Sequence, residues 1–307
     1  MKKGKYSFRN IRYQKIASIN VIAAICLSAM TSILFSQTPD SDEPVRLNRV
    51  IENLKQGKPA LAATDFDTFS KESGDWLFID MEHGPYDLDR LETTLSQLLY
   101  RSSNRPKLTP IVRIPMEGDE DFSWAVKQIL DMGAFGIVFP HIETKEQAIK
   151  AVRAMRYPPQ RGAEYPEPRG RRGLGPGWAS RYWGIPTSEY MKRADVWPLN
   201  PNGELLAMIM IETEKGVENI EEILEVPGIV VFVGPGDMSL SMGVLEHPEE
   251  IEPAIQAIAN ACRVYQIYCG MGGHFEGKAL EDRISQGFQF FGRSIDLVNE
   301  LGRIPSQ

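Results

Sequence analysis

The sequence predicts an α/β protein with one (β/α)8 barrel, and two observations support this fold class. Short apolar runs alternate with amphipathic segments from Arg46 onward, which is the pattern of βα units around a parallel sheet. The apolar runs contain few polar residues, as expected for strands that are buried on both faces. Eight such runs are present, and we predict strands at Pro59–Ala63, Trp76–Asp80, Thr109–Ile114, Gly136–Phe139, Leu205–Ile211, Ile229–Val233, Ile267–Gly270 and Gln289–Gly292.

The length of the chain, 307 residues, fits one barrel domain over residues 46–307 that follows an N-terminal extension. An opening helix is predicted at Arg46–Gln56. Thr144 and Gln147 have the spacing of a capping box, in which each side chain bonds the backbone N–H of the other residue. A helix is therefore predicted to begin at this point and to run through Met155.

One predicted connection, residues 156–197, is much longer than barrel connections usually are, and it is rich in Pro, Gly, Arg and aromatic residues. Its aromatic residues, which include Trp178, Tyr182 and Trp183, favour an ordered and packed segment. Long connections commonly act as lids or as oligomer contacts. We therefore expect this segment to contribute to substrate choice.

The N-terminus has the pattern of an export signal over residues 1–36, followed by a polar linker at residues 37–45. A basic stretch leads into Ile16–Phe35, which carries no charge and is rich in Ile, Ala, Leu and Val. We expect export to the periplasm or the cell exterior. The apolar stretch is also about long enough to span a bilayer, so a retained membrane anchor is an alternative. If the segment is not a signal, a cytoplasmic location is expected.

The charge distribution argues against nucleic acid as a partner. Residues 1–39 contain six of the 34 basic residues and no acidic residue, which leaves 28 basic against 41 acidic residues, a balance of −13, in the rest of the chain. An acidic body without a long basic run favours a small-molecule or protein partner. Of the three cysteines, Cys26 lies in the apolar segment, while Cys262 and Cys269 are predicted to be buried thiols. A disulfide is the alternative in an exported protein.

Charged residues follow five successive predicted strands, at the end of a barrel where active sites assemble. Burying acids, histidines and an arginine at such positions is unfavourable for structure alone. We therefore predict an active site at the carboxyl ends of the strands. Its members are Asp80, Glu82 and His83 at the second strand, Arg113 at the third, His141 at the fourth, Glu212 at the fifth and Asp237 at the sixth.

Glu212 and Asp237 follow adjacent predicted strands, so their carboxylates are expected to point at one place on the barrel axis. Two oxygen ligands, completed by water and substrate, suit Mg²⁺, Mn²⁺ or Co²⁺ rather than a closed zinc site. The backbone N–H groups of Gly236 and Asp237, at the start of a predicted short helix, are placed to bind a substrate carboxylate. A pair of solvent-facing acids is the alternative.

Arg113 is predicted to neutralise an oxygen that becomes an enolate. His83 beside Asp80 is a histidine with an acidic orienting group, which suits proton transfer near neutral pH, and a structural histidine is the alternative. A Schiff-base aldolase needs a lysine that points into the barrel from a strand. None of the eight predicted strands contains lysine, so the metal route is favoured.

The motifs around these residues resemble the HpcH/HpaI family of class II pyruvate aldolases, which includes 4-hydroxy-2-oxo-heptanedioate and 2-keto-3-deoxy-sugar-acid aldolases. The similarity extends from Val50 to Gly292, and the motifs are specific in combination rather than singly. They are FIDMEHGP at 78–85, PIVR at 110–113, QILDMG at 128–133, RYPP at 156–159, IE at 211–212 and FVGPGDMSLSMG at 232–243.

The resemblance implies a (β/α)8 TIM barrel of the phosphoenolpyruvate/pyruvate type and a homo-oligomer, commonly a hexamer. It implies Mg²⁺, Mn²⁺ or Co²⁺ on Glu212 and Asp237. It also implies that His83 with Asp80 handles the proton and that Arg113 contacts the pyruvyl oxygen.

Two further roles rest on the resemblance, which places Glu82 near water on the metal and Asp131 in an acidic set near the arginine and the histidine. From the residues alone, Asp131 is predicted at the surface, at the C-terminal end of a helix. Met210 stands where the family often has Gln, His141 where it usually has an apolar residue, and Gln160–Arg172 is longer than usual. We expect these departures to alter the substrate range rather than to abolish the chemistry.

The expected function is an aldolase, a carbon–carbon lyase that converts 4-hydroxy-2-oxo acids into pyruvate and an aldehyde. One alternative is a citryl- or malyl-CoA-type lyase of the same superfold. That activity needs basic residues for the CoA phosphates, and the sequence offers only the cluster at Arg169–Arg172. Another alternative is an exported oxo-acid-binding protein without turnover.

Overall fold

The computed structural model describes residues 45–63, 74–99 and 105–293. The predicted signal, most of the linker and the C-terminal residues 294–307 lie outside these residues, so the predictions made for them stay predictions. None of the described helices combines the length and the apolar character that a membrane span requires.

Eight parallel strands form the barrel, and from the second strand to the eighth each pairs with the next in sequence order. The first and last strands also pair, and a parallel bridge between Ala62 and Trp76 joins the first strand to the second, so the ring is closed. The predicted (β/α)8 fold is therefore confirmed. The strands are β1 (Ala60–Leu61), β2 (Trp76–Asp80), β3 (Thr109–Arg113), β4 (Gly136–Phe139), β5 (Leu206–Ile211), β6 (Ile229–Val233), β7 (Cys269–Gly272) and β8 (Phe290–Gly292).

Helices surround the barrel. The predicted capping box of Thr144 and Gln147 is present. The opening helix is shorter than predicted because the Asn48 side chain accepts the N–H groups of Val50 and Ile51 and so caps it. The helices are α1 (Arg49–Lys55), α2 (Leu88–Leu98), α3 (Ser123–Asp131), α4 (Lys145–Met155), α5 (Gly177–Tyr182), α6 (Thr187–Arg193), α7 (Glu214–Glu218), α8 (Ile220–Leu224), α9 (Pro235–Ser241), a 3₁₀ turn (Pro248–Ile251), α10 (Glu252–Tyr265) and α11 (Gly277–Ser285).

Strand β7 begins two residues later than predicted. Gln266 ends α10 in the left-handed conformation, and the N–H of Ile267 still bonds the carbonyl of Cys262 at 2.8 Å. These contacts hold Ile267 in the helix end rather than in the sheet. Cys262 and Cys269 are buried free thiols, as predicted.

The barrel interior is filled by aromatic rings below the carboxyl end. Phe78 stacks on Trp76 with ring centroids 5.5 Å apart and meets Phe232 edge-on at the same distance, and Phe232 stacks on Phe290 at 5.9 Å. Because successive side chains of a strand point to opposite faces, the next inward position on β2 after Phe78 is Asp80. By the same alternation, Arg113, the last residue of β3, and Glu212, the residue after β5, also point into the barrel.

The long connection, residues 156–197, is ordered and packed, as its aromatic residues predict. The ring of Trp183 stacks on Phe135 with centroids 4.4 Å apart, and its N–H donates to the carbonyl of Gly133 at 2.9 Å. This connection runs from the end of α4 to the start of β5, so both of its ends lie at the amino-terminal end of the barrel. The expectation that it contributes to substrate choice stays a prediction, since Arg171 of this connection reaches Asp121, which lies between β3 and α3.

Candidate active site

Arg113 and Asp80 form a buried ion pair at the carboxyl end of the barrel. The two residues are direct neighbours in the register of β2 and β3. The Asp80 carboxylate accepts a hydrogen bond from Arg113 Nε at 3.0 Å and a second, short one from Nη2. Burial opposes ionisation of Asp80, but the hydrogen bonds and charge of Arg113 outweigh it and lower the pKa of this carboxyl. The pair is therefore fixed and charged.

Glu82 extends this pair toward the strand ends. Its Oε2 lies 3.0 Å from Arg113 Nη1, and 10% of its side chain is exposed. Burial raises the pKa of Glu82 to about 7 despite the opposing charge of Arg113, and the negative charge of Glu212 adds to the rise. Burial thus makes Glu82 hold its proton to a higher pH than an exposed glutamate does.

Glu212, the residue after β5, is buried, with 1% of its side chain exposed. Its Oε1 accepts the backbone N–H of His141 at 2.8 Å. Its Oε2 is buried and has no hydrogen-bond partner among the described residues. Burial raises the pKa of Glu212, and the nearby charge of Asp237 adds to the effect. A carboxylate with one fixed and one unpartnered buried oxygen is suited to receive a cation.

Gly234, at the end of β6, makes room for this carboxylate. A Cβ at this position would lie 2.5 Å from Glu212 Oε2 and 3.1 Å from Met210 Cε. Met210 itself is buried just below the site on β5. Met210 therefore places an apolar surface beneath the Glu212 carboxylate.

Asp237 and Gly236 lie in the first turn of α9, after β6. Asp237 is half-buried, and Gly236 is exposed, where an added Cβ would meet no atom within 4 Å. Asp237 is near enough to Glu212 to act on its ionisation, as the adjacent strand ends predicted. The use of the two backbone N–H groups to bind a carboxylate stays a prediction.

His83 is not paired with Asp80 as predicted. Among the described residues, Asp80 accepts from Arg113 and from the backbone N–H groups of Glu82 and His83. The His83 ring is 62% exposed, and its Nε2 lies 3.5 Å from Glu82 Oε2. The reason is local, because the turn after β2 points the imidazole outward while the strand points Asp80 inward. The acidic neighbour of the His83 ring is Glu82.

Asp131 does not join this site within one chain. It is the last residue of α3, and its carboxylate accepts from Arg172 Nη2 at 2.7 Å. The C-terminal ends of barrel helices lie at the amino-terminal end of the strands, so Asp131 is at the opposite end from Arg113 and His83. Its location at the end of a helix matches the prediction from the residues alone, and the placement implied by resemblance was wrong for the single chain.

His141 has a larger place in the site than its sequence position suggested. Its ring is 27% exposed and lies between two carboxylates, with Nε2 at 3.4 Å from Glu82 Oε1 and Nδ1 at 3.6 Å from Glu212 Oε1. The sequence predicted His141 as a member of the site at the end of the fourth strand but indicated no role for its ring. Its position after β4, between β3 and β5, was the signal that could have placed it beside Glu212.

The donor set suits a divalent cation rather than a closed metal cage. The described residues contain no group of three or more His, Cys, Asp or Glu side chains arranged to hold a metal ion. What they offer is the unpartnered Oε2 of Glu212, which lies close against Gly234, and the second carboxylate of Asp237. Mg²⁺ and similar ions are commonly bound by one or two carboxylates, with substrate and water as the other ligands.

Comparison with known proteins gives a consistent picture. Residues 59–298 match the HpcH/HpaI aldolase/citrate lyase family. The chain is 34% identical over 184 residues to a hydroxypyruvate/pyruvate aldolase of Roseobacter denitrificans, which covers 60% of this chain and 61% of that protein. It is 35% identical over 196 residues to a 2-keto-3-deoxy-L-rhamnonate aldolase of Salmonella schwarzengrund, which covers 63% of this chain and 62% of that protein.

The matches thus span about three fifths of the length of these two relatives. Among solved structures, a family member from Burkholderia cenocepacia J2315 aligns with a TM-score of 0.65 and 26% identity, covering 83% of this chain and 95% of that chain. The structural likeness agrees with the closed eight-stranded barrel.

Proposed function

Because the chain belongs to the HpcH/HpaI aldolase/citrate lyase family, we propose that it is a divalent-cation-dependent aldolase. It cleaves and forms a carbon–carbon bond in 4-hydroxy-2-oxo acids, with pyruvate and an aldehyde as the other reactants. The observation that carries this proposal is the buried cluster of Arg113, Asp80 and Glu82 beside Glu212, whose Oε2 lacks a partner among the described residues. The aldolase names of the relatives support the same class of reaction.

Glu212 and Asp237 would hold the cation, which we propose to be Mg²⁺, Mn²⁺ or Co²⁺. When bound, such an ion supplies positive charge that polarises the keto group of a 2-oxo acid. The support from this chain is the unpartnered oxygen of Glu212 and the lack of a Cβ at Gly234. Burial raises the pKa of Glu212, and a cation bound beside it would favour the charged form of this carboxylate.

Arg113 is proposed to hold the oxygen that becomes negative as the bond breaks. A guanidinium has five N–H donors, and hydrogen bonds to Asp80 engage two of them, one from Nε and one from Nη2. Glu82 Oε2 lies 3.0 Å from Nη1 as an ion pair without a hydrogen bond. The N–H groups that Asp80 does not bind would be available to an enolate oxygen, and Asp80 fixes the orientation of the guanidinium. The positively charged guanidinium of Arg113 lies over the Phe78 ring, with 5.6 Å between the guanidinium carbon and the ring centroid. Fixed positive charge of this kind stabilises the transition state.

Glu82 is proposed to move the proton. Its pKa of about 7 lets it accept the proton of a 4-hydroxyl group and return one to the enolate carbon. His83, at 3.5 Å and open to solvent, is placed to exchange that proton with water. This assignment replaces the predicted His83–Asp80 pair by Glu82 and His83, with Asp80 as the anchor of Arg113.

The experiment is to measure pyruvate release from a panel of 4-hydroxy-2-oxo acids, with and without a chelator. We expect release that requires added Mg²⁺, Mn²⁺ or Co²⁺ and that is lost in Glu212→Gln. Activity that survives chelation and survives Glu212→Gln would overturn the proposal. Tight binding of the oxo acids without cleavage would decide for a binding protein.

A CoA-dependent lyase has less support. In the basic cluster at Arg169–Arg172, Arg171 bonds Asp121 and Arg172 is buried against Asp131. These two side chains are therefore engaged within the protein rather than free for phosphate groups, and the cluster lies in the connection that joins the amino-terminal end of the barrel.

The location and assembly of the protein are further proposals. The apolar N-terminal segment supports export to the periplasm or the cell exterior, with a membrane anchor if the segment is retained. Cell fractionation and the mass of the mature protein test this, and an intact N-terminus in the cytoplasm contradicts it. A homo-oligomer is proposed from the family resemblance, and the native mass in solution tests it.

A further inference from the structure

The backbone of His141 is in an unusual conformation for a residue with a side chain. Among the described residues other than glycine, only His141 (φ 53°) and Gln266 (φ 57°) have positive φ. Gln266 ends α10, where the left-handed conformation is a common way to close a helix. His141 follows Pro140 at the end of β4 and ends no helix. Strain at such a position persists when the surroundings impose it, and it clusters at functional sites.

The conformation of His141 serves Glu212. The backbone N–H donates to Glu212 Oε1 at 2.8 Å, which is a charge-assisted hydrogen bond to a buried carboxylate. On its other side the backbone is held by a close approach, because a Cβ at Gly118 would lie 2.4 Å from the His141 carbonyl oxygen. The backbone of His141 is therefore closely packed on both sides, by Glu212 at its N–H and by Gly118 at its carbonyl oxygen.

The imidazole adds a second contact. Its nitrogens lie 3.4 Å from a Glu82 oxygen and 3.6 Å from a Glu212 oxygen, which is longer than a good hydrogen bond. The imidazole therefore makes no strong hydrogen bond to either carboxylate and mainly fills the space between Glu82 and Glu212. The stronger of the two contacts with Glu212 is that of the backbone.

We propose that His141 is a positioning residue, whose left-handed backbone holds Glu212 so that Oε2 faces the cation. The N–H holds Oε1, and this hydrogen bond restrains the rotation of the carboxylate that would move Oε2 from its place against Gly234. This inference rests on the proposed function, because it assumes that Glu212 binds a divalent cation. It assigns to the backbone of position 141 a role that side-chain chemistry alone does not reveal.

The test is a series of substitutions ranked by backbone preference rather than by side-chain chemistry. Gly adopts positive φ readily and Asn does so more often than most residues, whereas Ala and above all Val do not. We would compare His141→Gly, His141→Asn, His141→Ala and His141→Val. Gln266→Val is the matched control, since it imposes the same backbone conflict at the other left-handed position. The readout is the dissociation constant for Mn²⁺, measured by electron paramagnetic resonance of the free ion, at a temperature where each variant is folded.

We expect His141→Val to weaken Mn²⁺ binding by about tenfold or more, the usual effect of losing a group that orients a metal ligand. His141→Gly and His141→Asn should lose clearly less, and Gln266→Val should bind Mn²⁺ as the native protein does even though its melting temperature falls. If His141→Val does not fold, the comparison of His141→Ala with His141→Gly carries the same test.

Native-like affinity in His141→Val, or an equal loss in His141→Gly and His141→Val, would overturn the proposal. These results differ from a failure of the proposed function. If the native protein itself binds no divalent cation, the proposed function fails and the inference falls with it. If the native protein binds Mn²⁺ but the affinities of the variants do not follow the backbone preferences of the residues at position 141, the inference alone fails.

Discussion

Glu82→Gln should change the pH dependence of stability in a direction that the structure fixes. The folded protein keeps a proton on Glu82 up to a pKa of about 7, whereas an unfolded chain releases it near 4.5. Between these values the folded state binds more protons than the unfolded state, so this residue makes the free energy of unfolding fall as the pH rises. The contribution is fully present below about pH 4.5 and is lost by about pH 7.

The size of the effect follows from the shift. A difference of one pKa unit corresponds to about 1.4 kcal/mol, so the full shift represents about 3 kcal/mol. Residual solvent contact of the side chain reduces this, and we expect about 2 kcal/mol between pH 5 and pH 8. Glu82→Gln has no proton to lose, so its free energy of unfolding lacks this fall with pH. The free energy of unfolding of Glu82→Gln minus that of the native protein should therefore be about 2 kcal/mol higher at pH 8 than at pH 5.

The assay is urea unfolding of the native protein and Glu82→Gln at pH 5 and pH 8, with a chelator present so that no cation binds the site. Glu92→Gln, an exposed glutamate of α2, controls for the loss of one negative charge. Equal differences between the native protein and Glu82→Gln at the two pH values would refute the reasoning that burial keeps Glu82 protonated.

Three further substitutions probe other parts of the account. Arg113→Lys keeps the charge but loses the paired hydrogen bonds with Asp80. We therefore expect kcat/KM for pyruvate release to fall by about 10²–10³-fold. Near-native kinetics would contradict the role given to the guanidinium. Gly234→Ala places a Cβ 2.5 Å from Glu212 Oε2, so Mn²⁺ binding measured by titration should weaken by about tenfold or more. Gly177→Ala is the control, because an added Cβ there meets no atom within 4 Å, and it should leave Mn²⁺ binding unchanged. Arg172→Met removes the buried partner of Asp131 and should lower the free energy of unfolding by about 2 kcal/mol in urea without changing Mn²⁺ affinity; a lost affinity would mean that the amino-terminal end of the barrel acts on the site.

The sequence predicted the barrel well because parallel strands buried on both faces have a simple signal. All eight predicted strands exist, and the period of two explains why Asp80, Arg113 and Glu212 all point inward at the same end of the barrel. The same signal is weak near helix ends, which is why Ile267 was assigned to β7 although it still bonds the end of α10.

The partners within the site were harder to predict than its members. Asp80 bonds Arg113 because the two are register neighbours, whereas His83 lies beyond the strand, where its direction depends on the turn. The raised pKa of Glu82 depends on burial by surrounding residues, which no local pattern contains. Asp131 could have been placed correctly from topology, since the end of a barrel helix lies away from the carboxyl ends of the strands.

The most direct test of the central claim is whether this site forms the enolate of pyruvate. Pyruvate in D₂O should exchange its methyl protons for deuterium in the presence of the protein and Mn²⁺ or Mg²⁺, and the loss of the methyl signal can be followed by NMR without knowledge of the aldehyde. We predict exchange in the native protein that stops with a chelator and is lost in Glu212→Gln and Arg113→Lys. Absence of exchange under all metal conditions, or exchange at the native rate in Glu212→Gln, would contradict the account.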